Sequence, residues 1–236
     1  MSDDLVVCQA ARNWSHFFRG QAVHGLFLVA MLPAAWALAA PAASDERFLG
    51  LTDMGWLGVC VGGAIAHQMF VWLAWRSQIG WQALTTLLGR NDFSVFCAVF
   101  FPLLVSRPLL VLAVAWVDHG SLELPVEVAF LTGGFLLLPA AATGYSVAKY
   151  FGMARAAGGD HFRETYRRMP FVKQGAFCWT DNAMYTLAFF GLWSIAFLLR
   201  SHVALVAAVF QHGYIWVHYV ATEKPDIELI YADVAE

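Results

Sequence analysis

Residues 183–221, AMYTLAFFGLWSIAFLLRSHVALVAAVFQHGYIWVHYVA, form two apolar runs separated by Arg200 and Ser201. Each run has the length of a helix, and the short break between them predicts an antiparallel helical hairpin. Polar clusters flank this hairpin at 181–185 and 222–231. Because a hairpin brings its two open ends together, we expect the two clusters to be neighbours at one membrane surface and to form a site.

The composition is that of an integral membrane protein. Hydrophobic residues make up 60% of the 236 positions and charged residues only 13%, against roughly 25% charged residues in a soluble domain. The apolar stretches lack the alternation of barrel strands, which predicts helical spans that satisfy their own backbone hydrogen bonds in lipid. The predicted fold is an all-α polytopic bundle of about six transmembrane helices, at 21–40, 51–75, 93–117, 126–148, 183–199 and 202–221.

These helices are expected to form a single domain with two parts. Residues 1–148 hold the N-terminal transmembrane helices, and residues 149–236 hold a polar loop, the hairpin and a C-terminal cofactor segment. Pro225 suits the first turn of a further short helix after a break at Glu223. That helix is expected at the membrane interface, seated by its apolar residues Ile227, Ile230, Tyr231 and Val234.

The basic residues predict the orientation, since Lys and Arg concentrate in short cytoplasmic loops. Of the 14 basic residues, only Arg47 and Arg200 fall on one side of the predicted bundle, and Arg107 lies within a span. The other side holds the rest, so both termini and the loop 149–180 are predicted to be cytoplasmic. The first apolar run has no cleavage signature and is expected to stay in the protein. We expect a bacterial inner membrane, or the endoplasmic reticulum membrane in a eukaryote.

Several functional classes find no support in the sequence. The four cysteines are scattered without a CxxC pair, which argues against a metal knuckle or a disulfide framework. Phosphate loops, nucleophile elbows and HExxH helices are missing from the sequence. The net charge of −3 is too small to indicate a partner, and no nucleic-acid partner is expected.

The polar residues at the mouth of the hairpin have two interpretations each. Asp181 is a suitable helix N-cap, but with Asn182 and Tyr185 it also offers donors and acceptors to a ligand. Glu223 is either a solvated charge at a helix end or a partner for a cation or amine. Arg107, next to Pro108, is expected to be structural, snorkelling outward or pairing with an acidic residue, Asp118 or Glu127.

The last span carries a regular polar stripe. Its members fall at i, i+3, i+7 and i+11, and are Gln211, Tyr214, His218 and Thr222. Such groups should face the bundle interior, either as hydrogen-bonding contacts between helices or as the lining of a ligand site that continues to Glu223. The basic loop 149–180 is either a determinant of topology or a surface for anionic lipid and phosphate.

The hairpin and its two flanking clusters resemble the membrane-embedded phospholipid methyltransferase family, and within it the phosphatidylethanolamine N-methyltransferases. Those enzymes carry Asp-Asn-Pro-Met-Tyr before a helical hairpin and Glu-Glu-Pro, ending in Ile-Tyr, after it. The matching residues here are Asp181, Asn182, Met184, Tyr185, Glu223, Pro225, Ile230 and Tyr231. The segment Tyr150-Phe151-Gly152 is also similar, and the likeness covers about 133–231.

The chain departs from the family at three points. Ala183 stands in place of Pro, Lys224 in place of the second Glu of a pair implicated in binding S-adenosylmethionine, and Gly133-Gly134 is the nearest candidate for a Gly-x-Gly. The related isoprenylcysteine carboxyl methyltransferases typically carry Arg-His-Pro-x-Tyr instead, which disfavours a carboxylate substrate.

The resemblance implies an S-adenosylmethionine-dependent methyltransferase acting on a lipid or lipophilic acceptor, with an amine head group favoured. Candidate catalytic residues are Glu223, His218 and Tyr185. Candidate cofactor-binding residues are Gly133, Gly134, Tyr150, Asp181, Asn182, Tyr214 and Glu223. Candidate substrate-binding residues are Arg167, Arg168 and Tyr231. The expected partners are a membrane lipid and the bilayer itself.

Two alternatives stay open. One is a non-enzymatic membrane carrier or scaffold whose histidines bind haem or metal. The other is a relative of the sterol reductases that shares the hairpin but uses a nicotinamide cofactor. The cofactor that stabilises the purified protein distinguishes the three hypotheses.

Overall fold

The computed structural model describes residues 4–6 and 8–232, so Val234 of the predicted interfacial helix lies outside the described part. The structure is 78% helical with almost no sheet, which confirms the predicted all-α bundle. Its helices are α1 (Trp14–Phe17), α2 (Gln21–Ala39), α3 (Asp53–Trp81), α4 (Ala83–Leu88), α5 (Asp92–Val117), α6 (Val126–Ser146), α7 (Met153–Ala156), α8 (Glu164–Arg167), α9 (Ala183–Thr186), α10 (Phe190–Leu198), α11 (His202–His218) and α12 (Lys224–Ile230).

The remaining elements are short. Two π-helical turns, Val147–Phe151 and Tyr219–Glu223, follow α6 and α11. Turns of 3₁₀ helix lie at Gln9–Ala11, Ala40–Ala42, Gly89–Asn91, Gly159–His161 and Gly175–Cys178. A two-stranded antiparallel ribbon pairs β1 (Arg47–Phe48) with β2 (Leu51–Thr52).

Within the described residues, five helical segments are long and apolar enough to cross a membrane. They are Trp14–Ala42, Asp53–Trp81, Ala83–Val117, Val126–Phe151 and His202–Ile230. The span predicted at 183–199 is a shorter apolar segment, Ala183–Leu198, interrupted between α9 and α10. It still reaches the far end of the bundle, because the turn after α10 is bonded to the loop 118–125. There the Ser201 hydroxyl donates to the Asp118 carboxylate (2.6 Å).

The centre of the bundle is packed from small side chains. Ala39, Ala64, Ala115, Ala196 and Ala207 are fully buried where α2, α3, α5, α10 and α11 meet. Small residues let helix backbones approach closely, and this packing is a main source of helix association in lipid. The hairpin of α10 and α11 is therefore part of the bundle core.

Arg107 does not take either of the arrangements expected from the sequence. Its side chain is 3% exposed and lies inside the bundle, where Nε donates to Oε1 of Gln211 (2.7 Å). The guanidinium lies 5.0 Å from the centre of the Phe189 ring. Asp118, one of the two acidic partners expected from the sequence, instead accepts hydrogen bonds from the hairpin turn.

The last helix also differs from expectation, since it does not break at Glu223. α11 runs through the π turn directly into α12, and Ile230 packs against Ala11 and Ile79. Pro225 has no backbone N–H and so leaves a carbonyl of the preceding turn without its helical donor. An arginine from α3 donates hydrogen bonds to carbonyls of that turn, which supports the continuation of the helix past the proline.

That arginine is Arg76, whose side chain is fully buried. Its Nη2 donates to the carbonyls of Ala221 (3.0 Å) and Thr222 (3.2 Å), and its Nε donates to Oδ1 of Asp226 (2.9 Å). Its Nη1 donates to three carbonyls of the N-terminal segment, those of His16, Phe17 and Arg19. One guanidinium therefore ties the N-terminal segment, α3 and α12 together.

The same segment needs a glycine at position 20. Gly20 has φ +82°, and a Cβ atom there would lie 2.3 Å from the carbonyl oxygen of Ala221. No other residue fits this approach without a shift of backbone, because the contact is with backbone and the conformation is left-handed. The start of α2 thus packs directly on the π turn.

His161 connects the 152–182 loop to this network. Its Nδ1 lies 3.1 Å from Oδ1 of Asp160, its Nε2 lies 3.7 Å from Oδ2 of Asp226, and its ring stacks on Trp75 with 4.1 Å between centres. Burial alone lowers the pKa of His161, but the two carboxylates outweigh burial and raise that pKa to about 9. The imidazolium is therefore the form present at neutral pH.

We expect the protein to lose stability as the pH rises through about 9, because the pKa of His161 is raised in the folded state. The stabilisation is complete below the unfolded pKa of roughly 6.5 and is lost on deprotonation. Thermal unfolding in detergent should show a melting temperature lower by on the order of 5–10 °C at pH 10 than at pH 7. In His161→Asn this pH dependence should shrink markedly. An equal decline in both proteins would contradict the assignment.

Candidate active site

The two polar clusters that flank the hairpin meet in the folded protein. The Tyr185 hydroxyl, on α9, donates a hydrogen bond to Oε2 of Glu223, a residue 38 positions away on the π turn. Both side chains are half-buried. The contact joins the two segments that the sequence had indicated as one site.

Two further aromatic rings complete this site. The centre of the Tyr185 ring lies 6.1 Å from that of Trp216 and 5.7 Å from that of Tyr219. Trp216 and Tyr219 are themselves 5.7 Å apart and nearly perpendicular, at 84°. Asn182 lies beside the Tyr219 hydroxyl. The site is therefore a carboxylate bordered by three mutually tilted rings.

These rings belong to a second stripe of the last helix. The stripe falls at i, i+4, i+7 and i+11 and consists of His212, Trp216, Tyr219 and Glu223. It faces the hairpin partner, since the His212 ring is within 5.3 Å of Phe189 and the next two members contact Tyr185. Sequence reasoning missed Trp216 and Tyr219 because they lie within an apolar run. The helical spacing back from Glu223 was the signal that could have found them.

The stripe of Gln211, Tyr214, His218 and Thr222 lies inside the bundle, as predicted, but faces other helices. The Tyr214 hydroxyl lies 2.6 Å from Nε2 of His24, and the Thr222 hydroxyl accepts from Gln21 (3.1 Å). His218 is buried with its ring 6.0 Å from Trp75. These contacts correspond to the interhelical hydrogen-bonding interpretation, and Glu223 continues the neighbouring stripe.

Three other residues proposed for the cofactor lie on α6 and on the π turn that follows it. Gly133 packs on α10, where a Cβ atom would lie 2.7 Å from Cγ of Leu198, about three and a half helical turns beyond Tyr185. Gly134 borders open space. Tyr150 lies on the π turn after α6, with the Lys149 ammonium 5.3 Å from its ring centre.

Asp181 does not act as the helix cap. Its side chain is 72% exposed and lies 2.5 Å from Nζ of Lys173, and Asn182, the residue before α9, makes no capping hydrogen bond with its side chain. The charge of Asp181 is thus neutralised at the surface of the loop.

The candidate substrate-binding residues take part in contacts of the loop. Arg167 donates from Nε to the carbonyl of Ile230 (2.5 Å) and from Nη1 to Glu164 (2.9 Å). Arg168 is 76% exposed and 3.3 Å from the same glutamate. The Tyr231 hydroxyl donates to Asp160 (2.9 Å). Of the two arginines, Arg168 is the more accessible to a head group.

The chemistry of this site suits a cation. A carboxylate in a low-dielectric setting favours a positive ligand, and aromatic faces add attraction for it. Among the residues that the structure describes, no group of three or more His, Cys, Asp or Glu side chains is arranged to hold a metal ion.

Comparison with known proteins agrees with this geometry. The family described as phospholipid methyltransferase matches residues 128–234, a segment that begins in α6 and contains both Tyr185 and Glu223. A search of curated proteins and a search of solved structures each gave no match. The match agrees with the resemblance found over 133–231: residues 128–234 of this chain are similar to the phospholipid methyltransferase family.

Proposed function

We propose that this protein is an S-adenosylmethionine-dependent methyltransferase that acts on the amine head group of a membrane lipid at the cytoplasmic face. The observation that carries the proposal is the hydrogen bond between Tyr185 and Glu223. It brings together the two motifs of a segment that matches phospholipid methyltransferases.

The residues at this contact fit the proposed cofactor. S-adenosylmethionine supplies, when bound, a transferable methyl group on a positively charged sulfur. The Glu223 carboxylate complements a positive charge, and Asn182 and Tyr185 offer a side-chain amide and a hydroxyl to polar groups of the ligand. Lys224, where the family has a second Glu, leaves Glu223 as the acidic residue at this position.

Methyl transfer is an in-line displacement that needs no covalent bond to the enzyme, so alignment and exclusion of water supply much of the acceleration. An ammonium acceptor must first lose its proton. Glu223 is placed to accept that proton, with the Tyr185 hydroxyl holding the carboxylate in position. His218, buried against Trp75 on the other side of the helix, is a weaker candidate for the base.

The position of the site also suits a lipid acceptor. Val220, next to Tyr219 on the last helix, is 56% exposed on the outer surface of the bundle. Trp216 and Tyr219 themselves are half-buried, which leaves part of each residue accessible to a lipid that approaches sideways from the leaflet. The exposed Arg168 is available to pair with the phosphate of that lipid.

Binding of the cofactor should stabilise the folded protein. We expect S-adenosylmethionine or its demethylated product to bind with micromolar affinity and to raise the melting temperature in detergent by several degrees at millimolar ligand. Differential scanning fluorimetry and calorimetry check this. A folded protein that shows no heat and no thermal shift would rule out the proposed activity.

Replacing the carboxylate should abolish most of the turnover. Glu223→Gln keeps the shape of the side chain and removes its charge, so the rate should fall by roughly two orders of magnitude or more. The matched control is Glu228→Gln on the same helix, since Glu228 is 48% exposed and pairs with Arg19 at 3.0 Å. We expect that control to stay within about twofold of the wild type. A wild-type rate in Glu223→Gln would contradict the proposed role.

A further inference from the structure

We propose that Tyr185, Trp216 and Tyr219 form an aromatic cage that binds an onium cation together with Glu223. The proposal rests on the proposed function and names the chemistry that the site recognises: a trisubstituted sulfonium or a methylated ammonium. Both carry their charge on a centre covered by methyl or methylene groups. A sulfonium donates no strong hydrogen bonds, and a methylated ammonium donates few. Both are bound well by the faces of aromatic rings.

The geometry of the three rings supports a cage. Their centres form a nearly equilateral triangle with sides of 6.1, 5.7 and 5.7 Å. A cation about 4 Å above that triangle is about 5 Å from each centre, within the roughly 6 Å reach of a cation–π contact. The interplanar angles of 73°, 55° and 84° show that the rings are tilted against one another and are not a flat stack.

Burial and charge distinguish this cluster from ordinary core packing. All three of these aromatic residues and Glu223 are half-buried, so each keeps part of its surface accessible. By contrast, Tyr214 on the neighbouring stripe is fully buried with its hydroxyl bonded to His24. A second aromatic cluster, between α3 and α5, is built around phenylalanines such as Phe96 and Phe100. Electron-rich Trp and Tyr rings beside a carboxylate are the composition expected for a cation site.

Two ligands offer this chemistry, the sulfonium of the cofactor and the ammonium of the acceptor. The binding measurements use the full chain in detergent, without turnover. One arm compares S-adenosylmethionine with S-adenosylhomocysteine, its neutral thioether. The other compares choline with 3,3-dimethylbutanol, its uncharged isostere. The variants are Trp216→Leu, Trp216→Phe and Tyr219→Phe, and Trp193→Leu on α10 is the control outside the cage.

If the cage holds the sulfonium, Trp216→Leu should weaken S-adenosylmethionine by roughly five- to thirty-fold and leave S-adenosylhomocysteine unchanged. If the cage holds the acceptor, Trp216→Leu should weaken choline binding by a similar factor. S-adenosylmethionine and S-adenosylhomocysteine should then bind as they do to the wild type. Either result supports the cage, with Trp216→Phe intermediate and Trp193→Leu like the wild type. Trp216→Phe and Tyr219→Phe keep the test valid should the leucine variant not fold.

Unchanged affinity for both cations in folded Trp216→Leu and Trp216→Phe proteins would overturn the cage and leave these rings as packing. Failure of the cage can be distinguished from failure of the proposed methyltransferase function. Wild-type protein that binds choline through Trp216 but does not bind S-adenosylmethionine would retain the cage and remove the methyltransferase.

Discussion

The buried guanidinium of Arg76 is the interaction on which the rest of this structure depends. Withdrawing a charge of this kind from water is costly unless it is paired and its donors are satisfied. Here Asp226 supplies the pairing at 2.9 Å and five backbone carbonyls accept the remaining hydrogen bonds. Two of those carbonyls belong to the turn that precedes Pro225, where the proline removes one helical donor. A single side chain thus lets the last helix pass a proline without ending.

The Arg76 network fixes the position of the π turn that carries Glu223. The π turn Tyr219–Glu223 lies between the alanine-packed core of α11 and the Arg76 network. Gly20 packs on one side of this turn, and Tyr185 bonds to Glu223 at its other side. π-helical turns are uncommon and are frequently found at functional sites. The contacts around this one explain how a carboxylate is held among aromatic rings at a fixed place.

Hydropathy was sufficient to predict the helical class and five of the spans, because apolar length alone determines which segments cross lipid. The meeting of Tyr185 and Glu223 followed from hairpin geometry. The role of Arg76 could not be predicted from the sequence. A basic residue at the end of a span looks the same as one that only sets the orientation of the protein in the membrane, until its partners are known. His161 was likewise one polar residue in a polar loop. The sequence did not indicate Trp216 and Tyr219 as site residues, because an aromatic ring in an apolar helix most often serves only in packing.

If Arg76 holds the turn that carries Glu223, replacing Arg76 should loosen that turn, and hydrogen exchange of the backbone amides measures this loosening. Arg76→Lys keeps the positive charge but cannot cap both sets of carbonyls. Mass spectrometry should show exchange in residues 216–230 faster by at least about tenfold in this variant, with residues 202–215 protected as in the wild type. Unchanged exchange in 216–230, or an equal increase throughout the bundle, would contradict the account.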